Sequence, residues 1–364
     1  METLLDSHEK APICGPALDS LQRAWSDQPA IETQEQIIRD LVGASSEDAF
    51  VFTSSGAEAV TQVLWSVYME AARKEGKCHF LASALEDLPT MQMLKRLEEL
   101  GCFAKIIPVT PSGEIDLKKL PELISPRTAL LSVQLAQALT GVIQPIEELV
   151  RITKERNILL HLDASYAVGK IYFSFADLGA DYLTFSGETL HASPASGALF
   201  AKPGAPLSPL IMGGKGLRGG PLDLPAFLSL AAASGQASLS LERMSLEVAR
   251  LRHLFETEMK RACNAQVLFA DSYRLPNVSC LFFPGVHQEA LLYLLSRKQI
   301  DASIGGRYPQ HLHRLLQASH MDLSIAESSL SFAFSRMTTE AQILQAIPLI
   351  ADAVATLRRI SEEL

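Results

Sequence analysis

The chain has 364 residues, of which 48% are hydrophobic, and a formal net charge of −9. That length suggests two domains, or one large domain with an appendage, and the apolar content suffices for a core. The acidic balance argues against a nucleic-acid surface or an anionic membrane as main partner, while leaving room for a local basic pocket for a small phosphate. At the N-terminus, METLLDSHEK lacks the basic flank and apolar stretch of a signal peptide, so a cytoplasmic protein is the expectation. Residues 33–43 then have apolar residues at helical spacing, and EDAFVFT (47–53) reads as a short buried strand. SSGAEAVTQVLWSVYMEAARKEG reads as a turn and a long helix, KCHFLAS as a second strand, and LPTMQMLKRLEELG as a helix ended by Gly101. FAKIIPV is a third strand, RTALLSVQLA (127–136) a fourth, PIEELVRITKERN a helix and ILLHLDA (158–164) a fifth strand. DYLTFSG and GALFAK complete the series.

Strands alternate with helices and are continuous apolar runs, the pattern of a mostly parallel sheet between helices. Ligands in such sheets sit outside the carboxyl ends of the strands, where FTSSG, HLDAS and FSGET all fall. After a glycine-rich stretch at 207–225, residues 239–262 read as a long amphipathic helix with Leu241, Val248, Leu251, Phe255 and Met259 on one stripe. NVSCLFFPG, helices near 287–298 and 309–318, SSLSFAFS and a last helix over 339–360 form an α+β tail. The expectation is an α/β protein with a large domain over 14–240 and a smaller C-terminal domain over 241–364, with 1–13 packing on the latter. No apolar run approaches the ~18 residues of a membrane span. Cys14, Cys78, Cys102, Cys263 and Cys280 stand singly, which indicates neither a disulfide framework nor a zinc site, but reduced, buried thiols.

In order and spacing, FTSSGAEA, TGVIQPI, HLDASYAVGK, LGADYLTFSG, GLRGG and SSLSFAFSRMTTE resemble the cysteine desulfurase (NifS-like) branch of the class V aminotransferases, over almost the whole chain. The resemblance implies pyridoxal-phosphate fold type I and a homodimer whose active sites are completed by a loop from the partner. It also implies a pyridoxal-phosphate site. Such a site needs a Schiff-base lysine, a carboxylate on the pyridine nitrogen, a stacking ring, a phosphate cradle at a helix start and an arginine for the substrate carboxylate. A desulfurase adds a cysteine thiolate that attacks the substrate sulfur.

By that resemblance, Asp163 matches the carboxylate, and Ser55, Gly56, Ala57 and Ser186 match the phosphate cradle, with Ala57 in place of a threonine. Thr189 stands at the Schiff-base lysine, Asp87 at the stacking histidine, Ala138 at an asparagine and Tyr166 at a glutamine. The partner loop reads Arg218-Gly219-Gly220-Pro221 instead of Arg-Ser-Gly-Thr. Ser331 stands at the substrate arginine, and the shortened loop DASIGGRYPQ carries no cysteine.

Plainer roles stand beside these. Asp163 can cap the turn that follows it, and the SSG turn can be only a good helix start. Lys215 and His191 are candidates for an unorthodox catalytic role, although a solvated or subunit-contact lysine explains Lys215. Lys170 and Lys202 read as surface residues. His311 and His313 point apart if both lie on a helix, and are not a metal pair. Three functional readings follow: a family member without catalysis, kept as a homodimeric scaffold or regulator; a noncovalent binder of pyridoxal phosphate or another small phosphate through Ser55, Gly56, Asp163 and Ser186; or a working transferase that uses a non-standard lysine.

Overall fold

The computed structural model describes residues 5–8, 11–26 and 30–362. Seven strands form the main sheet: β1 (Ala49–Thr53), β2 (His79–Ser83), β3 (Phe103–Ile107), β4 (Thr128–Gln134), β5 (Leu159–Asp163), β6 (Tyr182–Ser186) and β7 (Gly197–Ala201). Their spatial order is β1-β7-β6-β5-β4-β2-β3. Strands β3, β2, β4, β5 and β6 pair in parallel, which requires the helical crossovers that the sequence places between them. β7 runs antiparallel to both β6 and β1. Segment 187–196, between β6 and β7, is too short for a helical crossover, so the chain turns straight back. β2, β4 and β7 are buried along their whole length, in keeping with unbroken apolar runs. β3, at the edge, is largely exposed.

A second, three-stranded antiparallel sheet has the order β10-β9-β8, from β8 (Gln266–Val267), β9 (Val278–Phe282) and β10 (Ser329–Ala333). Leu251, Phe255, Leu281, Phe332, Ile343 and Ile350 pack in its core, and Leu5 joins them from the N-terminal segment. Residues 1–4 and 9–10 of that segment lie outside the described residues. A backbone bridge from Asp6 to Ala333 sets the segment beside β10.

The long helix begins earlier than its amphipathic stripe suggests. It runs unbroken from Leu224 to Cys263, with a π-helical turn at Met244–Val248, and so spans position 240. Its first part is Ala- and Ser-rich and buried on nearly all sides, so it has no stripe to read. By length and composition it is the one described helix that could cross a membrane, against the expectation that no run approaches that length, but 56% of its apolar window is buried inside the protein. Asp223 caps its start by accepting from the Ala226 N–H at 3.1 Å. All five cysteines are free and buried.

Candidate functional site

The carboxyl ends of β1, β5 and β6 meet at one cavity of about 110 Å³. Ser55, Gly56, Ala57, Asp87, Asp163, Tyr166, Ser186 and Thr189 all line it. The sheet order explains the meeting: β6 and β5 are neighbours, and β1 reaches them across the single strand β7. Close backbone approach makes glycine necessary at two places. A Cβ on Gly56 would lie 2.9 Å from Cβ of Ser186, and one on Gly197 would lie 2.5 Å from the Ser55 carbonyl carbon.

Several polar groups in the floor already have an internal partner. Ser55 Oγ accepts from the Glu58 N–H at 3.1 Å and so caps its own helix, Gly56–Val67. Glu58 accepts from Ser54 N and Ser54 Oγ at 2.8 and 2.5 Å, and pairs with Arg218 at 2.6 Å. Asp163 Oδ1 accepts from Ser165 N at 3.0 Å and Ser165 Oγ at 2.6 Å, the turn-capping role. The same Ser165 hydroxyl accepts from the Ser186 N–H at 3.1 Å. Thr189 Oγ1 lies 2.5 Å from the Ser165 carbonyl oxygen and 3.0 Å from that of Ser186, so its single proton is held between two backbone acceptors. Across the cavity, the Tyr166 hydroxyl donates to Asp87 Oδ2 at 3.0 Å.

Two ring-bearing wall residues, His8 and Tyr308, were not singled out in the sequence. His8 comes in from the N-terminal segment and meets the Tyr166 ring edge-on, with centroids 6.3 Å apart. Burial, with the Lys170 charge adding, pulls its imidazole down to about 3, so it is neutral. Tyr308 arrives on the shortened loop, which is pinned by Gln310 Nε2 donating to the carbonyls of Ala84 and Glu86 at 3.1 and 2.7 Å. Glu188 pairs with Arg307 at 3.0 Å. Just beneath, Glu86 is fully buried, and burial, reinforced by Asp163 and Asp87, raises its carboxyl well above the usual range. Burial also raises Asp163.

The other candidates lie elsewhere. Ser331 does not line the cavity; its hydroxyl donates to the Leu139 carbonyl at 2.7 Å and sits 3.3 Å from His8 Nε2. Lys215 is exposed on the glycine-rich loop and does not line the cavity. His191 is buried with its Nδ1 2.8 Å from the Pro12 carbonyl, and its ring is held near pKa 3 by burial and the Arg336 charge. Lys170 is not a surface residue: the turn that follows β5 folds inward, burying it with Nζ 3.2 Å from the Thr189 carbonyl oxygen. Lys202 is only partly exposed, pairing with Asp48 at 3.2 Å and lying over the Phe175 ring. The rings of His311 and His313 do not point apart but stack, with centroids 5.6 Å apart, because His311 precedes the helix Leu312–Ala318 in extended conformation.

This residue set does not fit covalently held pyridoxal phosphate. No lysine or arginine lines the cavity among the described residues, while three carboxylates, Asp87, Asp163 and Glu188, do. A Schiff base needs an amine and a phosphate needs cations or free N–H donors. Here Arg218 is turned to Glu58, and Ser55 is committed to its own helix.

The class-V aminotransferase family matches residues 20–345. A cysteine desulfurase of Gluconacetobacter diazotrophicus is 31% identical over 344 residues, covering 91% of this chain and 84% of that protein. The cysteine desulfurase NifS of Azotobacter vinelandii is 29% identical over 343 residues, again covering 91% and 84%. A solved NifS-like protein superimposes with a TM-score of 0.89 at 25% identity, over 98% of this chain and all of that one. Together with a mostly parallel seven-stranded sheet whose strand ends gather these positions, the matches place the fold in pyridoxal-phosphate type I. The chain belongs to the class-V aminotransferases, in their cysteine desulfurase-like branch.

Proposed function

We propose that this chain is a non-catalytic member of its family, retained as a homodimeric scaffold or regulator in the cytoplasm. One observation carries the reading: at the position that resembles the Schiff-base lysine stands Thr189, whose hydroxyl is engaged with the Ser165 and Ser186 carbonyls. An alcohol forms no imine, so the cavity has no covalent anchor for an aldehyde cofactor. The Tyr166–Asp87 bond supports the same reading, since two residues at cofactor positions are satisfied by each other. The substrate end points the same way, because Ser331 is bonded to the Leu139 carbonyl and carries no charge for a substrate carboxylate.

The test is an absorbance spectrum of the purified protein with pyridoxal phosphate, before and after borohydride, paired with an assay for alanine and sulfide from cysteine. The expected outcome is no chromophore fixed to the polypeptide and no alanine. A pyridoxyl-lysine peptide, mapped to Lys170, Lys215 or any other lysine, would overturn the reading. A thermal shift with pyridoxal phosphate but no fixed chromophore would replace the scaffold by a noncovalent binder, since a native-state ligand raises stability. Light scattering tests the dimer, with an expected mass of 79.2 kDa, twice the 39.6 kDa of one chain.

A further inference from the structure

Behind Thr189 lies a second, small void of about 10 Å³, which Thr189 also lines. Its polar wall is Ser7, Lys170, His191, Ser335 and Arg336, and no carboxylate faces it among the described residues. Lys170 and Arg336 are both buried. The Lys170 ammonium has three N–H groups, and its hydrogen bond is to the Thr189 carbonyl at 3.2 Å. The Arg336 guanidinium has five, and it donates to the Leu190 carbonyl at 3.1 Å and meets the Cys14 side chain. Among the described residues, donors of both cations therefore remain for a further acceptor.

Two buried cations around one void, with no carboxylate on its wall, are unfavourable unless a negative charge joins them. Burial and the Arg336 charge already pull Lys170 down to about 7. His191 offers no charge of its own, its ring being neutral. The void has room for one water-sized particle.

We propose that this void is a binding site for a single monovalent inorganic anion of halide size, held between the Lys170 ammonium and the Arg336 guanidinium. The site joins three parts of the chain: the turn after β5, the segment after β10, and the N-terminal segment through Ser7. The ion is structural, since it lies outside the cavity that gathers the family's site positions.

The experiment is thermal unfolding of the full chain in chloride against gluconate at constant ionic strength. The melting temperature is expected to rise with chloride and level off, by roughly 2 °C or more, as for a ligand of the native state. The chloride-dependent part is expected to vanish in Lys170→Met. Because that variant removes a buried contact, ³⁵Cl NMR line broadening of the unaltered protein provides a second measurement, with broadening competed away by bromide expected. Identical melting curves in chloride and gluconate, with no line broadening, would overturn the site. So would a chloride effect that Lys170→Met leaves intact.

Discussion

At the scale of single residues, much of the cavity's polar lining is engaged in internal hydrogen bonds. Thr189 shows this best, because its hydroxyl links the turn after β5 to the turn after β6 through two carbonyls. Thr189→Val keeps the shape, removes the donor and leaves buried acceptors short of a partner. The expected cost is about 1–3 kcal/mol, read as a lower denaturant midpoint at unchanged slope. An unchanged midpoint would mean that the hydroxyl links nothing. The residues at the ends of β1, β5 and β6 were legible because strand ends converge by topology alone. His8 and Tyr308 were not, because each reaches the cavity from a segment whose path no local pattern reports. Lys170 was misread for a related reason: a charged residue beyond a strand end is ordinarily solvated, and only the inward fold of its turn buries it.

Among the elements, the central strands carry a polar rung inside an apolar sheet. His161 on β5 is fully buried between Ser132 on β4 and Thr184 on β6, at 2.8 and 2.9 Å. Burial holds its ring at about 3, against an ordinary 6.5. Between those values the unfolded chain binds a proton that the folded chain refuses. The contribution of His161 is therefore fully present above about 6.5 and is lost as pH falls towards 3, at about 1.4 kcal/mol per pH unit. His8 and His191 act with the same sign. Glu86 and Asp163 act oppositely, since their raised values keep protons in the folded state and lose stability as pH rises through those values. Denaturant titrations across this acid range are expected to show a shallower decline in His161→Asn than in the parent. Parallel profiles would show that the ring is charged or solvated. The strands were legible as unbroken apolar runs, but the antiparallel setting of β7 was not, since burial on both faces looks the same in either direction. The start of the long helix was hidden likewise, because an all-round buried Ala- and Ser-rich segment has no period to detect.

For the whole molecule, the N-terminal segment ties the smaller sheet to the cavity. Leu5 is fully buried in the core beneath β9 and β10, its carbonyl accepts from Ala333 N at 2.7 Å, and Ser7 N donates to the Ala333 carbonyl at 3.0 Å. Within a few residues the same segment reaches both the halide-sized void, at Ser7, and the cavity, at His8. No short motif announces such a tie, because its partners lie some 330 positions further along the chain. Leu5→Ala removes buried apolar volume where the surrounding core can collapse only in part, and is expected to cost about 2–5 kcal/mol. If the segment is a tie and not a passive strand edge, the loss reaches beyond the small core. Amide exchange at Ala333 is then expected to speed up together with exchange at Ser186, whose N–H bonds Ser165 in the cavity floor. Faster exchange at Ala333 alone, with the floor unchanged, would show that the two halves are held together without it.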